Sequence, residues 1–202
     1  VLAENLNVKN LDRQRLTEEI FNEVDKQATE QKGEKVIIGL CQVEDDEMAD
    51  IWNEGVIGLV AGKICEKYYL PTLVITKSEE GYKGSGRSIP ELDLIKTIEQ
   101  SAELLEKYGG HPGACGFTMK KENFKAFSKE IRAAAEKQIG KIDLRPKLII
   151  DSALDFKKID LDFVKSIDEF SPFGKDNERP KFATYNVKVV DIINMGASSQ
   201  HI

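Results

Sequence analysis

The sequence predicts an α/β fold with a mixed, partly parallel sheet flanked by helices, followed by a smaller β-rich segment. Residues 36–41 and 72–76 are continuous apolar runs, which is typical of strands buried on both faces. Residues 56–69 between them have helical spacing, so the three segments form a strand-helix-strand unit with a parallel pair of strands. Residues 182–193 instead alternate between apolar and polar, which indicates an antiparallel sheet with one face in water.

An amphipathic helix is predicted before the first strand, over residues 10–31. Asn10 can cap its start, and Leu16, Ile20 and Val24 recur on one face of the helix. Because an apolar helix face needs a surface to pack against, we expect this face to be covered.

Four further elements are predicted after residue 76. They are a glycine-containing strand or loop at 82–88, a helix at 91–107, a strand at 114–119 and a helix at 122–138. Gly109 and Gly110 are expected to end the helix that precedes them. In the last helix, Phe127 and Ile131 lie on the inward face together with Phe124.

The chain is predicted to divide into three regions, residues 1–33, 34–140 and 141–202. The boundary near Gly140 separates the α/β region from a region with different patterning. The last region is predicted to contain three elements, a strand at 147–151, a helix at 160–170 and the alternating strand at 182–193.

The charge of the chain is unevenly distributed. The net charge is −6, but residues 1–50 hold 6 basic and 13 acidic residues, whereas residues 51–202 hold 23 basic and 22 acidic ones. Residues 117–147 contain nine basic side chains and four acidic ones. An anionic ligand such as nucleic acid is therefore compatible with most of the chain despite the acidic total.

The composition excludes some classes of protein. No stretch approaches about 18 consecutive apolar residues, so no membrane span is predicted, and the first residues lack the features of a signal peptide. Cys41, Cys65 and Cys115 are scattered, which predicts buried free thiols and a reducing compartment such as the cytoplasm. The two histidines, His111 and His201, lie far apart, which argues against a zinc site built by this chain alone.

Residues 83–88, with the sequence K-G-S-G-R-S, are the most informative stretch. Its glycines allow close approach to the backbone, its serines offer hydroxyl donors, and its arginine presents a planar fork that matches two phosphate oxygens. Ser88 and Glu91 also have the spacing of a capping box, which would place the stretch at a helix N-terminus. The stretch reads either as a phosphate cradle or as a tight turn with an exposed arginine. The candidate phosphate-binding residues are Gly84, Ser85, Gly86, Arg87 and Ser88.

Residues 109–116, with the sequence G-G-H-P-G-A-C-G, are a second glycine-rich stretch. Its single imidazole, His111, can donate a hydrogen bond to a phosphate or polarise it. The alternative is a turn that ends a helix and carries an incidental, solvated histidine. Both glycine-rich stretches follow the same sheet region, so we expect them to converge on one face and to add Gly109, Gly110 and His111 to the site.

Residues 44–47 are four consecutive carboxylates. Such a run can bind a hard cation in principle, but it is more often a solvated loop. The sequence shows no compelling arrangement for a serine or cysteine nucleophile.

Several of these stretches together resemble a known family. The segments W-N-E-G-V-I-G-L-V-A, K-G-S-G-R-S-I and Y-G-G-H-P-G-A-C-G-F-T resemble the DHH-associated domain of RecJ-type single-strand-specific exonucleases. Residues 145–151 and 171–182 are similar to the part of RecJ that leads into its OB-fold, and residues 6–19 resemble the linker helix before the associated domain. Two positions depart from the pattern, since Asn53 stands where many relatives have histidine, and Cys115 stands where alanine is usual.

The resemblance implies that the chain is the C-terminal part of a 5′→3′ single-stranded-DNA exonuclease acting in DNA repair and recombination. It implies that residues 1–33 are the linker helix, 34–140 the DHH-associated domain and 141–202 a partial OB-fold. By family analogy Ser85 and Arg87 hold a DNA phosphate, the 5′-terminal one, while the loop around His111 lines the cleft and assists near the scissile phosphate.

The metals are expected elsewhere. The resemblance implies Mn²⁺ or Mg²⁺ in the protein's own N-terminal DHH domain, which is absent from this chain, so the chain alone is predicted to be inactive. Two alternatives remain open at this point. One is a family phosphodiesterase acting on oligonucleotides or nucleoside phosphates, and the other is a non-catalytic nucleic-acid-binding adaptor.

Overall fold

The structure of the protein is a computed structural model that describes residues 2–42, 51–79 and 81–195. The chain forms two compact units, Val1–Pro146 and Lys147–Ile202. Among the described helices, none has both the length and the hydrophobicity that a membrane span requires.

The first unit is built on a five-stranded sheet. Its strands are β1 (Ile37–Leu40), β2 (Thr72–Ser78), β3 (Gly81–Arg87), β4 (Lys107–His111) and β5 (Ala114–Met119). The order across the sheet is β1-β2-β3-β5-β4. β1 and β2 pair in parallel, and the other neighbours pair antiparallel. The predicted mixed, partly parallel sheet is therefore confirmed.

Helices cover the two faces of this sheet unequally. They are α1 (Leu2–Glu30), α2 (Ile57–Tyr68), α3 (Leu94–Glu99) and α4 (Phe124–Ile139). Because side chains alternate along a strand, Val74 of β2 enters the core formed with α1 and α2, while Leu73 and Ile75 enter the core formed with α3 and α4. The sheet is thus the middle layer of three.

The first helix is longer than predicted. α1 begins at Leu2 rather than at residue 10, so Asn10 lies inside the helix, where its Oδ1 accepts a hydrogen bond from Arg13 Nη2 at 2.8 Å. A residue suited to N-capping does not mark the start of a helix when the residues on both sides of it favour helix. The predicted apolar face is confirmed, because Ile20 and Val24 are buried in the core with α2.

The C-terminal half of α1 and the residue that follows it also close the outer edge of β1. Gln31 donates to the Ile38 carbonyl oxygen at 2.9 Å and accepts from the Ile38 N–H at 3.0 Å. Gln27, one turn earlier, makes the same pair of bonds with Leu40 at 2.9 and 2.8 Å. These two side chains replace a neighbouring strand, so the edge is not left unpaired.

The helix predicted over 91–107 is wrong in its second half. α3 ends at Glu99, a 3₁₀ turn covers Ala102–Leu104, and β4 follows. The apolar spacing misled the prediction because Leu104 and Leu105 pack against the same core as α3 without continuing its helix. The predictions over 114–119 and 122–138 are confirmed by β5 and α4.

The second unit has little regular structure among its described residues. α5 (Leu161–Asp168) confirms the predicted short helix, but the strand predicted at 147–151 is absent. β6 (Ser152–Ala153) and β7 (Phe182–Ala183) pair in parallel, which corrects the predicted antiparallel sheet. Residues 184–194 form no strand, because no other described segment pairs with them, and a strand needs a neighbour for its backbone hydrogen bonds.

Candidate nucleic-acid interface

The sheet is covered on one face only at β5 and β4, whereas the Ser85–Arg87 end of β3 is also bordered by α2 on the second face. Phe117 and Met119 of β5 are buried against α3 and α4, whereas every residue of β4 is exposed. A Cβ added at Gly109 would have no described atom within 4 Å, and one at Gly116 would meet only a backbone oxygen at 3.9 Å. The second face is therefore open at β5 and β4 and is bordered by α2 at β3.

The strand register places nine residues on this open face in three rows. Each row has one residue from β3, one from β5 and one from β4, in that order. The rows are Lys83, Thr118 and Lys107; Ser85, Gly116 and Gly109; and Arg87, Ala114 and His111. We call this surface the open face. It brings the two predicted glycine-rich stretches together, as the sequence suggested.

The stretch at 83–88 is a strand and not a loop. Ser85 and Arg87 share the open face, while Gly84 and Gly86 point to the opposite core. A Cβ at Gly84 would collide with the Phe117 ring, and one at Gly86 would lie 2.6 Å from Leu73 Cδ2. Both glycines therefore have a packing reason to lack a side chain, which the sequence could not distinguish from ligand approach.

Arg87 and Ser85 lie against the first turns of α2. A Cβ added at Gly58 would lie 2.9 Å from Ser85 Oγ and 3.4 Å from Arg87 Nη2, and one at Gly62 would lie 3.9 Å from Arg87 Cγ. Gly58 thus makes room for the Ser85 hydroxyl, while Gly62 lies within ordinary contact distance of the half-buried arginine stem. The first turn of α2 lies beside these side chains, and its partial positive charge adds to that of the arginine.

The donors of these two side chains remain largely available. Arg87 Nη1 donates to the Gly86 carbonyl oxygen at 2.9 Å, and Arg87 pairs with no carboxylate in the described part of the chain. Ser85 Oγ lies 3.5 Å from the Cys115 carbonyl oxygen, a long contact that leaves the hydroxyl able to turn towards a ligand. An anion above this row would meet a hydroxyl and a guanidinium together.

Ser88 does not cap a helix, which corrects the predicted capping box. The residue that caps α3 is Asp93, whose side chain accepts from the Lys96 N–H. The Ser88 hydroxyl donates to the Leu92 carbonyl oxygen at 2.8 Å, and its N–H donates to the Gly113 carbonyl oxygen at 3.0 Å. Ser88 therefore ties the end of β3 to the turn of the β4–β5 hairpin.

Gly109 and Gly110 lie within β4 and do not end a helix, which corrects a second prediction. Gly110 has a φ of +154°, and a Cβ there would collide with the Ala114 carbonyl oxygen across the hairpin. The tight pairing of β4 with β5 therefore requires glycine at this position.

His111 stands at the end of β4, exposed and held in one orientation. Its Nδ1 accepts a hydrogen bond from the Gly113 N–H at 3.2 Å. In the neutral ring this bond places the proton on Nε2, which has no acceptor among the described residues and can donate to a ligand. The hairpin turn is itself fixed, because the Leu94 N–H donates to the Pro112 carbonyl oxygen at 2.9 Å.

The cysteines near this site are not nucleophiles. All three cysteines are free and buried, as predicted. Burial raises the pKa of Cys65 to about 11 and that of Cys115 to about 12, although the charge of Arg87 opposes both shifts. These thiols are therefore protonated at neutral pH.

The sequence interpretation missed Lys83, Lys107 and Thr118 on the open face, and Gly58 beside it. The alternation of Lys83, Ser85 and Arg87 was a usable signal, because residues two apart on a strand share a face. No comparable alternation pointed to Lys107, because the sequence predicted a helix over residues 91–107.

The described residues include no group of three or more His, Cys, Asp or Glu side chains that could hold a metal ion. Residues 44–47, the candidate cation ligands, lie outside the described residues.

Comparison with known proteins gives consistent matches. Residues 33–137 match the DHHA1 domain, and residues 150–202 match the RecJ OB domain. The single-stranded-DNA-specific exonuclease RecJ of Bacillus subtilis is 27% identical over 203 residues, which cover 100% of this chain and 25% of the relative. RecJ of Thermus thermophilus is 27% identical over 139 residues, which cover 66% of this chain and 19% of the relative. The chain thus spans a quarter or less of the length of these relatives.

Solved structures of RecJ have the same fold. RecJ of Thermus thermophilus in complex with Mn²⁺ matches with a TM-score of 0.76 and 26% identity, over 91% of this chain and 26% of that chain. The complex of the same protein with Mg²⁺ matches with a TM-score of 0.73 and 26% identity, over 89% and 26%.

Proposed function

Because this chain belongs to the DHHA1 domain family, we propose that it is the nucleic-acid-binding part of a RecJ-like exonuclease that degrades single-stranded DNA from the 5′ end. The observation that carries the proposal is the convergence of Ser85, Arg87 and His111 on the open face. The match of residues 150–202 to the RecJ OB domain supports RecJ over relatives without that domain.

Ser85 and Arg87 hold the 5′-terminal phosphate in this proposal. The guanidinium fork donates two parallel N–H bonds to phosphate oxygens, and the Ser85 hydroxyl donates a third. The first turn of α2 adds favourable potential for a doubly charged terminal phosphate. Gly84 and Gly86 contribute through backbone shape, and Ser88 acts by fixing the end of the strand.

His111 contacts a different phosphate from Arg87. The two residues lie in one row with β5 between them, so their Cα atoms are about 10 Å apart at normal strand spacing. A terminal phosphate at Arg87 therefore leaves His111 near the backbone of a following nucleotide. There its Nε2 proton can be donated to a phosphate oxygen as negative charge develops.

The metal chemistry lies outside this chain in the same proposal. A DHH domain, the protein's own, carries Mn²⁺ or Mg²⁺, which would activate the attacking water. The chain alone is then inactive, because its open face binds and orients the strand without supplying the nucleophile. α1 connects the two domains, residues 34–140 hold the phosphates, and residues 141–202 begin the OB-fold that binds the strand further along.

We place the protein in the cytoplasm, in DNA repair and recombination. Its three free buried thiols suit a reducing compartment. Single-stranded DNA with a free 5′ end is the substrate that this site geometry recognises.

The test is the preference for a 5′-phosphate. Arg87→Ala should weaken binding of a 5′-phosphorylated strand by roughly 1.5–3 kcal/mol, the contribution of a charge-assisted hydrogen bond, and should leave binding of the 5′-hydroxyl strand little changed. Fluorescence anisotropy with a 3′-labelled oligonucleotide measures both affinities. Lys125→Ala, an exposed lysine on α4, is the control. Equal loss of affinity for both strands would contradict a terminal-phosphate site.

A further inference from the structure

The first row of the open face is not explained by a terminal-phosphate site. Lys83, Thr118 and Lys107 lie side by side across β3, β5 and β4. A shallow groove of about 240 Å³ runs over them and is floored in part by Gly116. Both lysines are exposed, and Lys107 pairs with no carboxylate among the described residues.

From this groove we propose a second binding site, a basic track that holds internal phosphodiesters of the same DNA strand. The track consists of Lys83, Thr118 and Lys107. The inference rests on the proposed function for the direction of the strand, but its residues are different from those that hold the terminal phosphate.

Distances along the sheet support one continuous strand path. Lys83 is two residues from Ser85 and four from Arg87 along β3, which corresponds to about 7 and 14 Å. A stacked strand advances about 3.4 Å per nucleotide, so the groove lies within a few nucleotides of the Arg87 row. A strand that begins at Arg87 therefore reaches the groove without leaving the face.

The shape of the middle row suits a strand that crosses it. Ser85 is followed across the sheet by Gly116 and Gly109, and a Cβ added at either glycine would make no close contact with a described atom. Thr118 adds a hydroxyl between the two lysines. The middle row therefore leaves space for the backbone of a strand that runs between the two basic rows.

Glu54 moderates the charge of the track. Its carboxylate forms an ion pair with the Lys83 ammonium. Phosphate binding at Lys83 must compete with this carboxylate, whereas Lys107 has no such competitor in the part of the chain that the structure describes. Neutralising Glu54 is therefore expected to strengthen binding, which is the opposite sign from loss of either lysine.

A rival basic surface exists on α4, where Lys125 and Lys129 are exposed on the far side of the sheet. Those lysines lie on a helix whose buried residues, Phe127 and Ile131, face the sheet. The contributions of the two surfaces to binding can be distinguished, because each carries an exposed lysine that can be replaced by alanine.

The salt dependence of binding distinguishes the two surfaces. Each phosphate contact to a single strand contributes about 0.7 to the slope of log affinity against log salt concentration. For Lys107→Ala we expect the slope to fall by about 0.7, so that a fourfold rise in salt weakens binding about 2.6-fold less than in the parent chain. Lys83→Ala should act in the same direction and Glu54→Gln in the opposite one. Lys107→Glu should weaken binding further than Lys107→Ala.

The experiment uses the 202-residue chain and a 3′-labelled strand of about 12 nucleotides, within the range of single-strand sites. A reduced slope for Lys107→Ala with an unchanged preference for the 5′-phosphate supports the track. An unchanged slope overturns it, and so does a reduced slope confined to Lys125→Ala. If Arg87→Ala keeps the 5′-phosphate preference while the Lys107→Ala slope falls, the terminal-phosphate proposal fails and the track stands.

Discussion

Gly58→Ala is expected to raise the stability of the chain slightly while lowering its affinity for a 5′-phosphate. The added Cβ would lie 2.9 Å from Ser85 Oγ, closer than atoms normally approach, and 3.4 Å from Arg87 Nη2. The serine hydroxyl would have to move, whereas the guanidinium lies at the edge of ordinary van der Waals contact. The Ser85 donor of the proposed phosphate site would therefore be displaced.

The effect of Gly58→Ala on stability and its effect on phosphate affinity have different magnitudes and opposite signs. Replacing glycine by alanine in a helix stabilises it by up to about 1 kcal/mol, and near the start of α2 the close contact with Ser85 offsets only part of this gain. Displacing one charge-assisted hydrogen bond costs about 1.5–3 kcal/mol of binding free energy, which is at least about a tenfold loss of affinity.

Gly62→Ala is the matched control on the same face of α2. Its Cβ would lie 3.9 Å from Arg87 Cγ, an ordinary van der Waals contact, so only the helix gain is expected. Urea unfolding measures stability, and anisotropy with 5′-phosphorylated and 5′-hydroxyl strands measures the site. The reasoning would be refuted if Gly58→Ala and Gly62→Ala bound the phosphorylated strand equally well.

Two further predictions concern the fold around the site. Gln31→Ala should lower the free energy of unfolding by about 1–3 kcal/mol, because it leaves the N–H and carbonyl of Ile38 at the edge of β1 without partners. Gln100→Ala, at the exposed residue that follows α3, is the control in urea unfolding, and equal losses would count against the edge-capping role. Burial raises the pKa of Cys115 from 9.0 to about 12, so the unfolded chain releases this proton first and stability should fall as pH rises from about 9 towards 12. The fall should be smaller in Cys115→Ala when both are followed by thermal unfolding across that pH range, and an identical pH dependence would contradict the assigned shift.

The central layer of the fold could be predicted because buried strands and amphipathic helices leave strong patterns. The apolar run that forms β2 is continuous, which is typical of a strand buried on both faces. Val60 and Ile64 of α2 instead recur four residues apart, which is typical of one helix face. Local pattern alone was insufficient at 102–111. There the apolar residues of a 3₁₀ turn continued the spacing of α3, and glycines required by hairpin pairing were taken for a helix end.

The candidate site was predictable in its residue types and in the convergence of its two glycine-rich stretches, but not in its strand register. Ser85, Arg87 and His111 were proposed from their chemistry, and the row that Arg87 and His111 share follows from two antiparallel pairings that no short segment specifies. The roles of Gly84 and Gly86 also needed the structure, because a glycine that packs against Phe117 or Leu73 looks the same in sequence as one that approaches a ligand.

The central claim is that nucleic acid binds the open face of the sheet. The most direct measurement is a titration of the isotope-labelled 202-residue chain with a 5′-phosphorylated oligonucleotide, followed by backbone amide NMR. The largest shift changes are expected at residues 83–88 and 107–111, with those of α4 nearly constant. Changes concentrated on α4, with residues 83–88 unaffected, would contradict the claim.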